Sequence, residues 1–214
     1  MTEAFSQAFW DKRYASRSAL WSGEPNAHLV AQASELGAGT ALDVGCGEGA
    51  DAIWLAERGW HVTALDVSPV ALQRGAERAL EISADVAQRI DWLHEDALTW
   101  EGPEPASYDL VSAQFMHLPK EPREALFQRL AASVAPDGTL LIVGHHPSDM
   151  QSTAPRPPLP ELFFTASEVA ASLEPRAWEI VVDAAPERSI TDPQGHTVVI
   201  HDAVLRARRR ADSR

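Results

Sequence analysis

Short apolar runs alternate along the chain with longer stretches whose apolar residues recur at helical spacing. This alternation is typical of a parallel sheet with crossover helices, and it predicts an α/β, doubly wound fold. The expected strands are residues 40–44, 61–66, 90–94, 108–113, 139–144, 178–183 and 196–205. The expected helices of this core are residues 50–58, 69–82, 122–134 and 166–173.

Two of these helices have clear start signals. Ser68 is placed to cap the helix that begins at Pro69. Proline is tolerated at this first position because the N–H that it lacks is not used by the first turn. Thr165 and Glu168 have the spacing of a capping box before the last helix.

The last two predicted strands are joined differently from the others. Only residues 184–195 connect them, and this link contains Pro186, Pro193 and Gly195. A parallel connection is usually made through a helix, whereas an antiparallel pair needs only a turn. We therefore expect seven strands in an otherwise parallel sheet that ends in an antiparallel C-terminal hairpin.

The length of 214 residues and the hydrophobic content of 45% indicate one domain with a complete core. We expect a helical cap at residues 1–38, with helices near 3–16 and 24–37, a Rossmann-like core at 39–207 and a basic tail at 208–214. Residues 147–160 contain five prolines, and we expect them to form a lid or a surface loop without regular structure.

The charge excludes several classes of partner. A formal net charge of -13 argues against nucleic acid and anionic membranes, so the arginines of the tail are expected to be solvated. Cys46 is the single cysteine, no apolar run approaches the roughly 18 residues of a membrane span, and the start has no leader-like pattern. We expect a cytoplasmic protein with a small-molecule substrate; the oligomeric state stays open.

A glycine-rich loop follows the first predicted strand. Its sequence is Asp43-Val44-Gly45-Cys46-Gly47-Glu48-Gly49. Glycines permit a tight turn and a close approach of backbone N–H groups to a ligand, and the following helix adds a partial positive charge. Asp66 ends the second strand a little over ~20 residues later, where a ribose-binding acid is expected. The loop and Asp66 together predict a nucleotide-type cofactor site.

Three observations favour a cofactor other than a dinucleotide, although the glycine pattern fits both. Asp43 would repel a pyrophosphate but would attract an ammonium group. Asp96, after the third strand, offers a carboxylate suited to an adenine amino group. The C-terminal hairpin is also atypical of dinucleotide domains.

With these motifs, the chain resembles the class I S-adenosylmethionine-dependent methyltransferases. The matching segments are Leu42 to Gly49, Ala64 to Ser68, Glu95 to Ala97 and Tyr108 to Val111. The resemblance implies a seven-stranded sheet of order 3-2-1-4-5-7-6 and S-adenosyl-L-methionine as cofactor.

The resemblance also implies roles for individual residues. Asp43 would lie near the ammonium of the cofactor, Asp66 would hold the ribose hydroxyls, and Asp96 would bind the adenine amine. The other positions implied at the cofactor are Gly45 and Gly47 at the methionine portion, Val67 and Ala97 at adenine, and Gln114 and Phe115 near the sulfonium, with Cys46 as a small loop residue.

Aromatic residues are concentrated before the first strand. Trp10, Tyr14 and Trp21 would stabilise a methyl sulfonium, since aromatic faces attract cations; the alternative is ordinary core packing. This opening is similar, more loosely, to small-molecule methyltransferases of the tellurite-resistance and thiopurine type, in which an N-terminal segment covers the cofactor.

Three histidines near strand ends are candidate general bases for an oxygen or nitrogen acceptor: His117, His145 and His146. Each has the alternative of a hydrogen-bonded turn residue. No metal site is expected, because adjacent strand residues point to opposite faces of a sheet. Direct in-line methyl transfer to a thiol, chalcogen, oxygen or nitrogen acceptor is the leading hypothesis. A nicotinamide-dependent oxidoreductase and a non-catalytic cofactor-binding module are the alternatives.

Overall fold

A computed structural model describes residues 6–16, 22–102, 104–154, 156, 159–192 and 194–211 of the chain. The strands in this part of the chain are β1 (Thr40–Val44), β2 (His61–Asp66), β3 (Ile90–His94), β4 (Tyr108–Gln114), β5 (Val134–His145), β6 (Trp178–Ala184), β7 (Glu187–Thr191) and β8 (Thr197–Arg209). Its α-helices are α1 (Gln7–Ala15), α2 (Ala27–Ala33), α3 (Ala50–Glu57), α4 (Pro69–Ile82), α5 (Ala84–Gln88), α6 (Lys120–Ser133) and α7 (Ala166–Ala171). None of these helices is long and apolar enough to cross a membrane.

The strands form one sheet in the order β3-β2-β1-β4-β5-β8-β6, with β7 paired to β8. Pairs from β3 to β5 are parallel, and β8 is antiparallel to β5, β6 and β7. The predicted α/β fold, the strand order and the antiparallel hairpin are therefore confirmed. Because the link between the last two predicted strands contains β7, the described sheet has eight strands.

The C-terminal hairpin is longer than the sequence pattern indicates. Along β8, β6 pairs with residues 204–209 and β7 with residues 197–201, so that β6 and β7 are successive parts of one edge. Pro186 lies between them, where a missing N–H interrupts regular pairing. β7 is mostly exposed, which explains why its residues lack the apolar pattern of the other strands.

Both faces of the sheet are buried. Leu42 and Val44 of β1 pack with Leu126 of α6 on one face, and Ala41 packs with Leu55 of α3 on the other. Successive residues of a strand point to opposite faces, so a strand covered on both sides is apolar throughout. This packing places all parallel strand ends at one edge, where the connecting loops form a site.

The local start signals are confirmed, but some boundaries differ. Ser68 Oγ accepts from Ala71 N at 3.3 Å, and Thr165 and Glu168 form a capping box. Residues 147–160 begin with the 3₁₀ helix Pro147–Gln151 and end where a second one, Pro160–Leu162, starts, so the expectation of no regular structure was wrong. Proline is acceptable at the first position of each.

The expected basic tail also starts later than residue 208. Arg208 pairs with Thr139 in the β5–β8 ladder, and its side chain reaches Asp137 at 2.5 Å. Arg209 donates to the carbonyl of Val134 at 2.6 Å. These contacts with β5 hold both arginines in the sheet.

Gly75 in α4 provides a stability prediction. Gly→Ala in a helix usually stabilises by about 1 kcal/mol, but a Cβ here would lie 2.5 Å from Trp92 Cη2. We expect Gly75→Ala to lower the free energy of unfolding by about 1–3 kcal/mol, as in other overpacked sites. Urea unfolding measures this loss. Gly37→Ala is the control, because its Cβ would meet nothing within 4 Å. Equal effects of the two changes would contradict the prediction.

Candidate functional site

The glycine loop links β1 to α3 at the carboxyl edge of the sheet. Gly45, Gly47 and Gly49 all have positive φ values, of 73°, 55° and 76°, a region that other residues adopt with strain. The N–H of Gly45 donates to the carbonyl of Leu65 at 2.8 Å, which ties the loop to β2. A Cβ on Gly45 would lie 2.3 Å from Met116 Sδ. The loop therefore requires glycine for its backbone and for its packing.

Asp66, at the end of β2, is buried against this loop. Its Oδ2 accepts from Gly47 N at 2.9 Å and its Oδ1 from Ser68 N at 2.8 Å. Burial raises the pKa of Asp66, and these backbone N–H groups oppose that rise. Ser68 Oγ also donates to Asp11 of α1 at 2.5 Å, so the N-terminal helix is joined to the same corner.

Asp43 and Asp51 are two further carboxylates beside the loop. Asp43 is 2% exposed, and its Oδ2 has no hydrogen-bond partner among the described residues. Burial, then the charges of Asp51 and Asp66, raises the pKa of Asp43 well above its usual value. A buried acceptor without a partner is costly, so this oxygen suits a cationic ligand group.

The sequence analysis did not identify Asp51, which lies in the first turn of α3. Its Oδ1 accepts from Asn26 N at 2.6 Å and its Oδ2 from Gln114 Nε2 at 2.8 Å. Burial raises the pKa of Asp51 to about 6. Asp51 therefore joins the segment before β1 to the end of β4. An acid just after the glycine loop was the available sequence signal.

Cys46 lies within the loop and lines the same space. Burial, followed by the charges of Asp43 and Asp66, raises the pKa of its thiol well above the usual value. The thiol is therefore protonated at neutral pH, and this argues against a nucleophilic role.

These groups surround a cavity of about 1090 Å³ at the carboxyl edge of the sheet. Every predicted site residue that the structure describes lines it, except His146: Trp10, Tyr14, Asp43, Gly45, Cys46, Gly47, Asp66, Val67, Asp96, Ala97, Gln114, Phe115, His117 and His145. Trp21 lies outside the described residues. The fold thus brings together side chains that are far apart in the sequence.

Helix α1 covers one side of the cavity. Trp10 stacks on His117 with ring centroids 6.4 Å apart and an interplanar angle of 10°. Tyr14, one helical turn later, is 3% exposed and lies 6.1 Å from the Trp10 ring. Tyr14 is therefore both buried and part of the cavity lining, which the sequence analysis treated as alternatives, whereas Trp10 is half-buried at the cavity.

The loop after β3 contributes Asp96 and Ala97 to the cavity lining. Asp96 Oδ1 accepts from Leu98 N at 2.9 Å, which closes a short turn. Ala97 is buried, and its carbonyl accepts from Arg129 at 2.7 Å. Val67 lies across from this loop, where its carbonyl contacts His94 Nε2 at 3.1 Å.

His117 and His145 form a pair inside the cavity. Their Nε2 atoms are 3.2 Å apart, and His145 Nδ1 is buried without a partner among the described residues. Burial, with a smaller contribution from Arg13, lowers the pKa of His117 to about 4. Burial and then Arg156 lower the pKa of His145 to about 3. Both rings are therefore neutral at pH 7, and one Nε2 donates its proton to the other.

His146 does not face the cavity, so its assignment as a candidate base is not supported by the geometry. It caps the 3₁₀ helix Pro147–Gln151 by accepting from Ser148 N at 3.2 Å, and its ring lies 6.2 Å from that of His201. His145 and His146 are adjacent, and the side chain of His145 takes the cavity side of the sheet. His146 therefore matches the alternative of a hydrogen-bonded turn residue.

Residues that the sequence analysis missed line the far end of the cavity: His28, Arg156, Leu159, Leu162, Arg188 and Asp202. They come from α2, from the proline-rich segment and from the C-terminal hairpin. Asp202, fully buried in β8, pairs with His28 at 3.0 Å. Their sequence neighbourhoods contain no motif, because only the hairpin geometry brings them to the cavity.

Comparisons with known proteins agree with this geometry. Residues 41–138 match the family described as a methyltransferase domain. A probable thiol methyltransferase of Arabidopsis thaliana is 32% identical over 156 residues, which cover 70% of this chain and 66% of that protein. The chain belongs to the class I S-adenosylmethionine-dependent methyltransferases.

Other relatives of this methyltransferase are more partial or more distant. An uncharacterized methyltransferase of Mycobacterium tuberculosis is 39% identical over 108 residues, so the match spans about half of each protein, 50% and 51%. A structure solved in work on the conversion of a disulfide bond into a thioacetal group during echinomycin biosynthesis has a TM-score of 0.72 at 22% identity. It covers 97% of this chain and 93% of its own, and it shows the shared fold.

The family assignment bears on two points left open by the residues alone. It implies S-adenosylmethionine as the cofactor. The interpretation as a nicotinamide-dependent oxidoreductase is replaced accordingly.

Proposed function

We propose that this methyltransferase transfers a methyl group to a small-molecule acceptor by direct in-line displacement. S-adenosylmethionine supplies a methyl group on a positively charged sulfur. The acceptor atom forms a bond to the methyl carbon as the carbon–sulfur bond breaks, which yields S-adenosylhomocysteine and the methylated acceptor. A protonated acceptor also loses its proton. The name of the Arabidopsis relative supports a thiol or related soft nucleophile as acceptor.

The residues around the glycine loop, which form the floor of the cavity, fit the cofactor. Asp43 offers an unpartnered, buried carboxylate oxygen to the ammonium, and the bare backbone of Gly45 and Gly47 leaves room for the methionine portion. Asp66 already accepts two backbone N–H groups, but each carboxylate oxygen has a second lone pair for a ribose hydroxyl. Asp96, with Val67 and Ala97, would bind adenine. Gln114 and Phe115 would lie near the sulfonium.

The size and extent of the cavity carry the proposal of catalysis. Its volume of about 1090 Å³ lies just above the usual range of small-molecule sites, which are roughly 300–1,000 Å³. It continues from the acidic floor past His117 and His145 to Arg156 and Arg188. A module that only bound the cofactor would not need this second space. Trp10, which stacks on the ring of His117, and Tyr14 both line this cavity, where they would exclude water and stabilise the cationic sulfur.

His117 and His145 are the proposed acceptors of any proton that the substrate loses. Their two Nε2 atoms share one hydrogen bond, so a proton taken up by one ring can be relayed to the other. The low pKa values make the pair weak bases. This arrangement favours an acceptor that is acidic or already ionised at neutral pH over an alcohol or an alkylamine.

The neutral state of His145 gives a pH-dependent stability prediction. Because the pKa of His145 is lowered to about 3, the unfolded chain takes up this proton first as the pH falls below about 6.5. The contribution of His145 to the free energy of unfolding should therefore decrease by about 2 kcal/mol between pH 7 and pH 5. Urea unfolding at both pH values should show a smaller pH dependence in His145→Phe, which keeps a planar ring. His61→Gln, a change at an exposed histidine, should not show this reduction. Identical pH dependence of wild type and His145→Phe would contradict the neutral assignment.

The catalytic proposal is tested by calorimetry and turnover. S-adenosylhomocysteine should bind with saturation, whereas nicotinamide dinucleotides should not compete. Formation of S-adenosylhomocysteine should depend on an added acceptor from a panel of thiols, phenols and halides. Cofactor binding without turnover on any such panel, extended to amines, would favour the non-catalytic module.

The remaining expectations stay proposals. We propose one methyltransferase domain over residues 1–214, with the segment before β1 as its cap, and a cytoplasmic location consistent with the single cysteine. The acidic net charge of -13 supports a small-molecule partner over nucleic acid.

A further inference from the structure

We propose that the far end of the cavity is an anion site, in which Arg156 and Arg188 bind the carboxylate of the methyl acceptor. This inference rests on the proposed function and specifies its substrate class. The two arginines come from different parts of the chain, the proline-rich segment and strand β7, and both line the cavity.

Arg188 is oriented by Asp202 of β8. Its Nε donates to Asp202 Oδ2, and its Nη2 lies 3.4 Å from Oδ1. Its Nη1 has no hydrogen-bond partner among the described residues, and the side chain is 42% exposed. The Nε–Nη2 edge of the guanidinium is thus held by the protein, which leaves other N–H donors for a ligand.

Arg156 is oriented in the same way by a second acid. Its Nε and Nη2 donate to Asp149 Oδ2 at 3.1 and 2.5 Å. Nη2 also lies 3.8 Å from Asp202 Oδ1, which places the two guanidinium groups around one carboxylate. Within the described part of the chain, Arg156 Nη1 likewise has no partner. The side chain is 9% exposed, so its position is fixed by packing.

The acids that hold these arginines leave some of their N–H donors available at the cavity. Asp149 does not line it, whereas both arginines and Asp202 do. Burial raises the pKa of Asp202, but hydrogen bonds from His28 and Arg188 outweigh this and keep it below its usual range. Asp202 is therefore ionised and already surrounded by donors. Asp149 and Asp202 balance the formal charge of the two guanidinium groups, so this wall offers an anion the unpartnered Nη1 donors of Arg156 and Arg188.

The other end of the cavity is lined by acidic residues. Asp43, Asp51 and Asp66 crowd the cofactor end, where an anion would be repelled. His117 and His145 lie between the two ends and carry no charge at neutral pH. A carboxylate would therefore bind at the arginine end in preference to the cofactor end. An acceptor anchored there would direct its other end past the histidine pair toward the cofactor half.

Binding of benzoate and benzamide to the protein saturated with S-adenosylhomocysteine tests this site. The two compounds have nearly the same shape, and only benzoate is an anion. Wild type should bind benzoate at least about tenfold more tightly than benzamide, the difference expected from one charge-assisted hydrogen bond. Arg188→Gln and Arg156→Gln should each weaken benzoate binding by about tenfold or more and leave benzamide unchanged. Calorimetry or competition by tryptophan fluorescence gives both affinities.

Two controls separate the anion site from general damage. Arg208→Gln removes an arginine that pairs with Asp137 at the surface, and it should leave benzoate binding intact. Arg188→Lys keeps the charge and should retain more affinity than Arg188→Gln. Equal binding of benzoate and benzamide, no benzoate binding at millimolar concentration, or an equal loss in Arg208→Gln would overturn the proposal. A loss of S-adenosylhomocysteine binding in Arg188→Gln would also overturn it, because the effect would not be confined to the acceptor end.

This design also distinguishes the anion site from the methyltransferase proposal. S-adenosylhomocysteine binding is measured first, without benzoate. If it binds and benzoate is not preferred, the methyltransferase proposal stands and the anion site fails. If S-adenosylhomocysteine does not bind, but benzoate still binds wild type more tightly than Arg188→Gln, the cofactor site fails and the anion site stands.

Discussion

Asp66→Ala is expected to weaken binding of S-adenosylhomocysteine by about a hundredfold. The change removes the proposed acceptor of two ribose hydroxyl donors, and hydrogen bonds to a charged group contribute about 1.5–3 kcal/mol each. Two such bonds correspond to a factor of about 10² or more in affinity. The same carboxylate also anchors Gly47 N and Ser68 N, so the loop loses part of its support. Isothermal titration calorimetry measures the affinity, and thermal unfolding monitors the fold.

The control for this change is Asp91→Ala, an exposed aspartate one strand away in β3. It should leave the affinity within about twofold, because surface changes away from a site usually have small effects. Asp66→Asn keeps the size of the side chain and should fall between wild type and alanine. Wild-type affinity in a folded Asp66→Ala protein would show that this aspartate does not hold the ribose.

Asp43→Asn should have opposite effects on binding and on stability. Loss of the carboxylate removes the proposed partner of the cofactor ammonium, and we expect the affinity for S-adenosylhomocysteine to fall by about 10–100-fold. The ligand-free protein should become more stable at pH 7, because the raised pKa of the buried Asp43 costs the folded state free energy at this pH, and a neutral amide has no such cost. The gain is expected to be on the order of 2 kcal/mol.

The pH dependence of this gain follows from the raised pKa of Asp43, which is caused first by burial. Between the usual aspartate pKa of about 3.9 and the higher folded value, the folded state keeps its proton while the unfolded chain loses it. The stability contributed by Asp43 is therefore present at low pH and is lost as the pH rises through the folded value. The stabilising effect of Asp43→Asn should be larger at pH 7 than at pH 4.

Urea unfolding at these two pH values, together with calorimetry of S-adenosylhomocysteine binding, measures both effects. Asp109→Asn is the matched control, because Asp109 accepts from Thr40 N at 2.8 Å near the start of β4, at the opposite edge of the sheet. It should leave cofactor affinity unchanged. A destabilised Asp43→Asn protein with unchanged affinity would indicate that Asp43 has a structural role only.

Local patterns in the sequence were sufficient for the strands that build the floor of the site. The bounds of β1, β2 and β3 agree with the prediction. β1 and β2 are buried and mostly apolar, and they end beside glycine and aspartate, whereas β3 is a half-exposed edge strand. The cap at Ser68 and the turn of the glycine loop involve only residues that are close in the sequence. The lining of the cavity by Asp43, Asp66 and Asp96 was predictable for the same reason: each directly follows or ends a strand of the parallel sheet.

The lining of the far end of the cavity could not be predicted, because it depends on contacts that no local sequence pattern contains. Strand β7 has a half-polar sequence after Pro186, and only pairing with β8 makes it a strand and carries Arg188 into the cavity. Of the adjacent His145 and His146, the packing of β5 decided that the first faces the cavity. The buried position of Asp202 likewise exists only after β8 inserts between β5 and β6.

The sequence by itself therefore determined the α/β fold, the bounds of its first strands and the acids of the glycine-loop end of the cavity, because strand periodicity, caps and glycine turns are encoded by neighbouring residues. The strand order was implied only by the resemblance to a known family. The tertiary structure alone decided which histidines meet, which arginines line the far wall and that Asp43 keeps a buried oxygen without a partner. These features arise from contacts between residues distant in the chain, and burial in the folded protein sets their charge states.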